Sequence, residues 1–100
     1  MNAELELGRR AFVVRAVGDA MAPDVRDGDH VGVDPDVPVE PGRAVALGGG
    51  EAGRAVVLRL VEDEGRLVLR GTRPGVADRP FDAAAEAAML GVAVFAGRRI

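Results

Sequence analysis

Few side chains in this sequence could act as nucleophiles or bases. Its 100 residues contain no Ser, Cys, Lys or Tyr, which excludes serine and thiol nucleophiles, Schiff-base lysines and disulfide bonds. Thr72 carries the only side-chain hydroxyl, and His30 is the only imidazole. A hydrolase would have to use unrecognised residues, such as Thr72, or Asp19 with His30, because no nucleophile, base and orienting group stand at a recognised spacing.

An acidic cluster over residues 24–36 is a further candidate for a chemical site. Its members are Asp24, Asp27, Asp29, Asp34 and Asp36. Their spacing lacks the calcium-loop pattern with its distal glutamate, and one histidine without cysteine gives no zinc pattern. We therefore expect no metal and no cofactor, and we interpret these aspartates as turn-forming and solvated residues.

Length, composition and charge limit the class of protein. With 48% hydrophobic and 29% charged residues, the chain fits one domain over residues 1–100. A net charge of -3 has the wrong sign for binding phosphate backbones, so we expect no direct nucleic-acid binding by this chain. No apolar run approaches the roughly 20 residues of a membrane-spanning helix, and the N-terminus lacks a signal-peptide pattern. The sequence thus predicts a cytoplasmic protein without membrane contact.

The elements that must position any site are mostly β-strands. Gly and Pro divide the chain into short apolar runs of strand length. Leu5 and Leu7 alternate with Glu4 and Glu6, which indicates an extended segment before the first strand. The runs predict strands over residues 11–17, 30–33, 44–47, 54–61, 67–69 and 92–96, turns over 19–29, and a short Ala-rich helix over 82–89.

Two Gly-Asp pairs carry a recognisable motif. An apolar run leads into the first pair, and a valine-rich run follows the second. The motif residues are Gly18, Asp19, Met21, Pro23, Gly28 and Asp29. This combination resembles the nucleophile segment of the LexA, UmuD and phage-repressor peptidase family, in which a strand leads into Gly-Asp-Ser-Met with a proline two residues on. Ala20 stands at the position of that serine.

Three later segments extend the resemblance. Residues 41–46 look like the family's next strand, and residues 88–94 are similar to its closing strand. Residues 55–60 look like the strand in which the family keeps its general-base lysine, and Leu58 stands at the lysine position. The similarity covers nearly the whole chain from about residue 12, which leaves residues 1–11 as an N-terminal extension.

The resemblance implies both a fold and a loss of chemistry. The implied fold is mostly β, a LexA C-terminal-domain-like set of small twisted, partly barrel-like sheets with at most one or two short helices. In a Ser-Lys dyad a neutral lysine takes the hydroxyl proton before the serine attacks a carbonyl. Ala20 has no atom that can attack, and Leu58 has no lone pair to accept a proton. We therefore expect no catalytic residues, with Ala20, Met21 and Leu58 lining a vacated groove.

The function that the resemblance implies is assembly. The family's domains hold repressors or polymerase accessory proteins together as dimers, which predicts a homodimerisation or protein-interaction module in transcriptional regulation or the stress (SOS) response. The groove could also bind an extended peptide of a partner by strand addition. Two alternatives stay open: a hydrolase with an unrecognised nucleophile, and a peptide-binding relative of the small signal-peptidase-like proteases, which share the Met-Pro and Gly-Asp elements.

Overall fold

The computed structural model describes residues 9–48 and 50–97, and this part of the chain contains seven strands and one short helix. The strands are β1 (Phe12–Ala16), β2 (His30–Asp34), β3 (Ala44–Gly48), β4 (Arg54–Asp63), β5 (Arg66–Arg70), β6 (Arg79–Pro80) and β7 (Met89–Gly97), and the helix is α1 (Ala83–Ala88). Every strand predicted within these ranges is present, so the mostly β fold class is confirmed. The alternation of Leu5 and Leu7 lies outside the described residues.

Five of the strands close into a barrel. Antiparallel pairing gives the order β1-β2-β7-β3-β4, and a short parallel pairing joins β4 back to β1. In this closing pair Arg15 lies opposite Arg54 and Ala16 lies opposite Ala55. The N–H of Val17 extends it by donating to the carbonyl of Ala55 at 2.8 Å. Strands β5 and β6 continue the sheet beyond β4, so the partly barrel-like arrangement is confirmed.

Two apolar cores lie on opposite faces of β4, because successive side chains of a strand point to opposite sides. Ala55 and Val57 belong to the first, which we call the barrel core; its other buried members are Val14, Ala16, Met21, Val25, Val31, Val33 and Ala46. Leu58 and Leu60 belong to the second, which we call the outer core; its other buried members are Val45, Leu47, Leu69 and Ala85. Strand β4 is therefore covered on both faces, and its ten residues form the longest strand described.

Helix α1 covers the outer core and leads directly into the last strand. The carboxylate of Asp82 accepts a hydrogen bond from the N–H of Ala85 at 3.0 Å, which caps the helix and satisfies one of its free N–H groups. The backbone becomes extended at Met89, where β7 begins. Within the described ranges no helix is long and apolar enough to cross a membrane.

Strand β6 is the one element that the sequence pattern did not predict. Arg79 and Pro80 are both exposed and pair with Leu69 and Val68 of β5. Two exposed residues, one of them proline, carry no alternation of apolar and polar residues for a pattern to detect. Proline is tolerated here because β6 is the last strand in the sheet order, where one edge needs no ladder hydrogen bond.

Candidate functional site

The two Gly-Asp pairs hold one loop together. Both Gly18 and Gly28 have a positive φ, 84° and 87°, which favours glycine. The N–H of Gly18 donates to the Asp27 carboxylate at 2.8 Å, and the N–H of Asp27 donates to the Asp19 carboxylate at 3.1 Å. These two bonds link the first Gly-Asp pair, at the start of the loop, to Asp27 at its end.

The second pair also fixes the loop to the barrel. The N–H of Gly28 donates to the carbonyl of Ala16 at 2.8 Å, and the N–H of Ala16 donates to the carbonyl of Asp29 at 2.9 Å. The Asp29 carboxylate accepts from the N–H of Arg26 at 2.9 Å and is buried. These bonds tie the end of the loop to the last residue of β1, directly before β2 begins.

Met21 is the apolar anchor of the loop. Its side chain is 2% exposed and packs in the barrel core, together with Val25. The N–H of Val25 donates to the carbonyl of Met21 at 2.9 Å, so a single turn places both side chains in the barrel. The expectation that Met21 lines the groove therefore differs from its placement, because the turn directs its side chain into the barrel core, while the neighbouring Ala20 is half-buried on the side of the outer core.

A second segment, residues 71–73, holds Ala20 in place. The carbonyl of Ala20 accepts hydrogen bonds from the N–H groups of Thr72 at 2.9 Å and Arg73 at 3.1 Å. The Thr72 hydroxyl donates to the carbonyl of Ala22 at 2.9 Å. A Cβ added to Gly71 would lie 2.4 Å from the Ala20 carbonyl oxygen, so only glycine permits this approach. Sequence reasoning missed Gly71, and its one signal was a glycine directly after the apolar run of β5.

A groove of about 640 Å³ opens beside Ala20. Ala20 is half-buried and packs against the outer core, of which Leu58 is a member. Val56 lies on the same face of β4 as Leu58, two residues earlier, and lines the groove. Leu58 was expected to line it as well, but its side chain is 2% exposed in the outer core and is not among the lining residues. The lining residues are Val17, Gly18, Asp19, Ala20, Val56, Arg73, Pro74, Gly75 and Val76.

Two charged side chains, Asp19 and Arg73, line the groove and form an ion pair. Arg73 lies 3.7 Å from the Asp19 carboxylate, and both side chains are well exposed. His30 is instead in β2, where its backbone position is opposite Arg15 and Gly97. The Asp19 carboxylate thus accepts a hydrogen bond from the N–H of Asp27 and forms the ion pair with Arg73. The Thr72 hydroxyl donates to the backbone carbonyl of Ala22.

The acidic cluster does not gather into a cation site. Among residues 9–48 and 50–97, no group of three or more His, Asp or Glu side chains is placed to hold a metal ion. The two carboxylates with clearly lowered pKa values, those of Asp36 and Asp78, do not line the groove beside Ala20. Hydrogen bonding from Arg10 lowers the pKa of Asp36, and hydrogen bonding from Arg70 lowers that of Asp78.

Comparison with known proteins places this fold in a family. The sequence profile of the peptidase S24-like family matches residues 2–94. The chain belongs to this family. It is also 28% identical over 91 residues to the prophage repressor CohE of Escherichia coli strain K12. The aligned region covers 91% of this chain and 41% of the repressor, so the chain spans about two fifths of that relative's length. The resemblance that the two Gly-Asp pairs carry is therefore confirmed.

Proposed function

We propose that this S24-like domain is catalytically inactive and serves as a homodimerisation module of a transcriptional regulator. The observation that carries the loss of catalysis is the pair Ala20 and Leu58, which stand where the family resemblance implies the nucleophile and the general base. In support of this pairing, Ala20 borders the groove and packs against the outer core, of which Leu58 is a buried member.

The chemistry of these two side chains supports inactivity. The methyl group of Ala20 offers no lone pair for attack on a carbonyl, and the isobutyl group of Leu58 cannot accept a proton. Arg59 is no substitute, because a guanidinium stays protonated and the next residue of a strand points to the opposite face. Leu58 also suits a site without a serine, since a buried unpaired ammonium costs several kcal/mol and a leucine has no such cost.

The regulatory role rests on the family and on its repressor member. The aligned relative is a prophage repressor, and the chain spans about two fifths of it. In such a regulator, a peptidase-like domain without its dyad keeps the capacity to assemble and loses self-cleavage as a switch. The open groove beside Ala20 also leaves room for an extended segment of a protein partner.

An apolar row on the outer face of the barrel supports a homodimer. Val13 of β1, Gly32 of β2 and Phe95 of β7 lie opposite one another in the sheet. A Cβ on Gly32 would lie 2.1 Å from the Phe95 ring, so that ring lies directly over the glycine. Val13 is 52% exposed and Phe95 is 46% exposed. In a two-fold symmetric dimer the same surface of both copies meets, so the row of each copy is buried against the other.

Light scattering after size-exclusion chromatography, across a wide concentration range, tests this proposal. We expect the wild type to have twice the 10.4 kDa mass of the chain. Val13→Glu places two carboxylates in the proposed interface, and we expect it to weaken the dimer roughly tenfold or more. Leu67→Glu is the matched control, because Leu67 is 41% exposed on β5, outside the row, and should leave the mass unchanged. A wild type that stays monomeric would refute dimerisation.

A further inference from the structure

A cleft of about 490 Å³ lies between helix α1 and strand β6, over the outer core. The main lining residues are Leu47, Val56, Arg79, Asp82, Ala84 and Ala85. Leu47 and Ala85 are buried members of the outer core, and Val56 packs against that core. The floor of the cleft is therefore apolar, and its volume falls within the range of about 300–1,000 Å³ that is typical of small-ligand sites.

Arg79 brings a positive charge to this cleft. In β6 it lies opposite Leu69, a buried member of the outer core. Because residues directly opposite each other in a sheet share a face, the Arg79 side chain lies on the face that the outer core covers. Among residues 9–48 and 50–97, no acidic side chain forms an ion pair with Arg79. Its planar guanidinium can therefore donate two parallel hydrogen bonds to the carboxylate of a ligand.

Asp82 brings a negative charge to the same cleft. Its Oδ1 accepts a hydrogen bond from the N–H of Ala85 at 3.0 Å, which fixes the carboxylate beside a buried residue of the floor. A carboxylate has two oxygens and about four acceptor positions. The residue is exposed, so the acceptor positions that Ala85 does not use can bind an ammonium group.

We propose that this cleft binds a free α-amino acid with an aliphatic side chain. The carboxylate of the ligand pairs with Arg79, its ammonium group pairs with Asp82, and its side chain contacts Val56 and the apolar floor. A zwitterion fits because it carries both charges one carbon apart and gives each charged side chain of the cleft a partner. A ligand with a single charge satisfies only one of the two.

The proposal does not depend on dimerisation or on loss of catalysis. Neither the row of Val13, Gly32 and Phe95 nor the two vacated dyad positions line the cleft. Val56 lines both the cleft and the groove beside Ala20. A bound amino acid would therefore contact the wall that the two openings share.

Titration with L-leucine and, in parallel, with L-valine tests the proposal by methyl NMR. We expect the methyl signals of Leu47 and Val56 to shift and to saturate, with a Kd of about 1 mM or below. The methyl signals of Val13, on the outer face of the barrel, should not move. If neither amino acid produces saturable shifts at Leu47 and Val56, the proposal is wrong.

Two analogues of leucine test the need for both charges. The compound 4-methylpentanoate lacks the ammonium group, and 3-methylbutylamine lacks the carboxylate. We expect each to bind about tenfold more weakly than L-leucine or worse, because each loses one charge-assisted contact. An analogue that binds as tightly as L-leucine would contradict the amino acid as ligand.

Variants of the two charged residues assign the contacts. Arg79→Gln and Asp82→Asn should each weaken L-leucine binding about tenfold or more. Asparagine caps helices as well as aspartate does, so Asp82→Asn keeps the acceptor for the N–H of Ala85. Arg66→Gln is the matched control, because Arg66 is exposed on β5 and does not line the cleft. Unchanged affinity in either cleft variant, with the circular dichroism of the wild type, would overturn the proposal.

Discussion

Replacing Gly71 with alanine is expected to destabilise the domain by about 2–5 kcal/mol. The new Cβ would lie 2.4 Å from the Ala20 carbonyl oxygen and 3.1 Å from its carbon. That oxygen accepts hydrogen bonds from Thr72 and Arg73, so moving it away strains or breaks both. Each backbone hydrogen bond contributes about 1 kcal/mol, and a forced backbone shift costs about 1–3 kcal/mol.

Urea and thermal unfolding followed by circular dichroism measure this effect. For a domain of this size the lower limit corresponds to a fall in Tm of roughly 8 °C or more. Gly97→Ala is the matched control, because a Cβ there meets no atom within 4 Å, and its stability should stay within about 0.5 kcal/mol of the wild type. If Gly71→Ala is equally neutral, residues 71–73 do not hold the Ala20 loop as described.

Three further predictions concern the loop, the outer core and one surface ion pair. Asp27→Ala removes the acceptor of the Gly18 N–H and should lower the free energy of unfolding, measured with urea, by about 1 kcal/mol. An unchanged urea midpoint would contradict the role of Asp27 in closing the loop. Leu60→Ala truncates a side chain that is 1% exposed and should lower the free energy of unfolding by about 2–5 kcal/mol in the same assay. A decrease below about 1 kcal/mol would contradict tight packing around Leu60. The hydrogen bond from Arg70 lowers the pKa of Asp78, so its stabilising effect is present at neutral pH and disappears as the pH falls through that lowered pKa. Arg70→Met should therefore unfold at lower urea concentration than the wild type at neutral pH, and the two midpoints should converge in acid; a constant difference would refute this linkage.

Much of the fold could be predicted because its strands are short and have clear ends in the sequence. Glycine and proline bound the apolar runs, so the predicted strand over 30–33 corresponds to His30–Asp34 and the run over 44–47 to Ala44–Gly48. The helix was also predictable, because Asp82 is a strong N-cap residue directly before a run of alanines. These features depend on neighbouring residues, which the sequence displays directly.

The features that escaped prediction depend on residues far apart in the chain. No local pattern reveals that β4 returns to β1 in parallel and closes the barrel. The turn around Met21 directs that side chain into the barrel core, although its motif position next to Ala20 suggested the groove. The need for glycine at Gly71 arises from a backbone carbonyl 51 residues earlier, at Ala20. Such requirements follow from tertiary packing and leave no periodic signal.

Fluorophosphonate labelling followed by intact-mass measurement tests the central claim, that Ala20 and Leu58 stand at the vacated nucleophile and base positions. The wild type should gain no mass, because the chain offers no activated hydroxyl. Ala20→Ser combined with Leu58→Lys should become labelled at position 20, and Ala20→Ser alone should react far less because it lacks the base. A double variant that keeps the circular dichroism of the wild type but takes up no label would contradict the assignment, as would a labelled wild type.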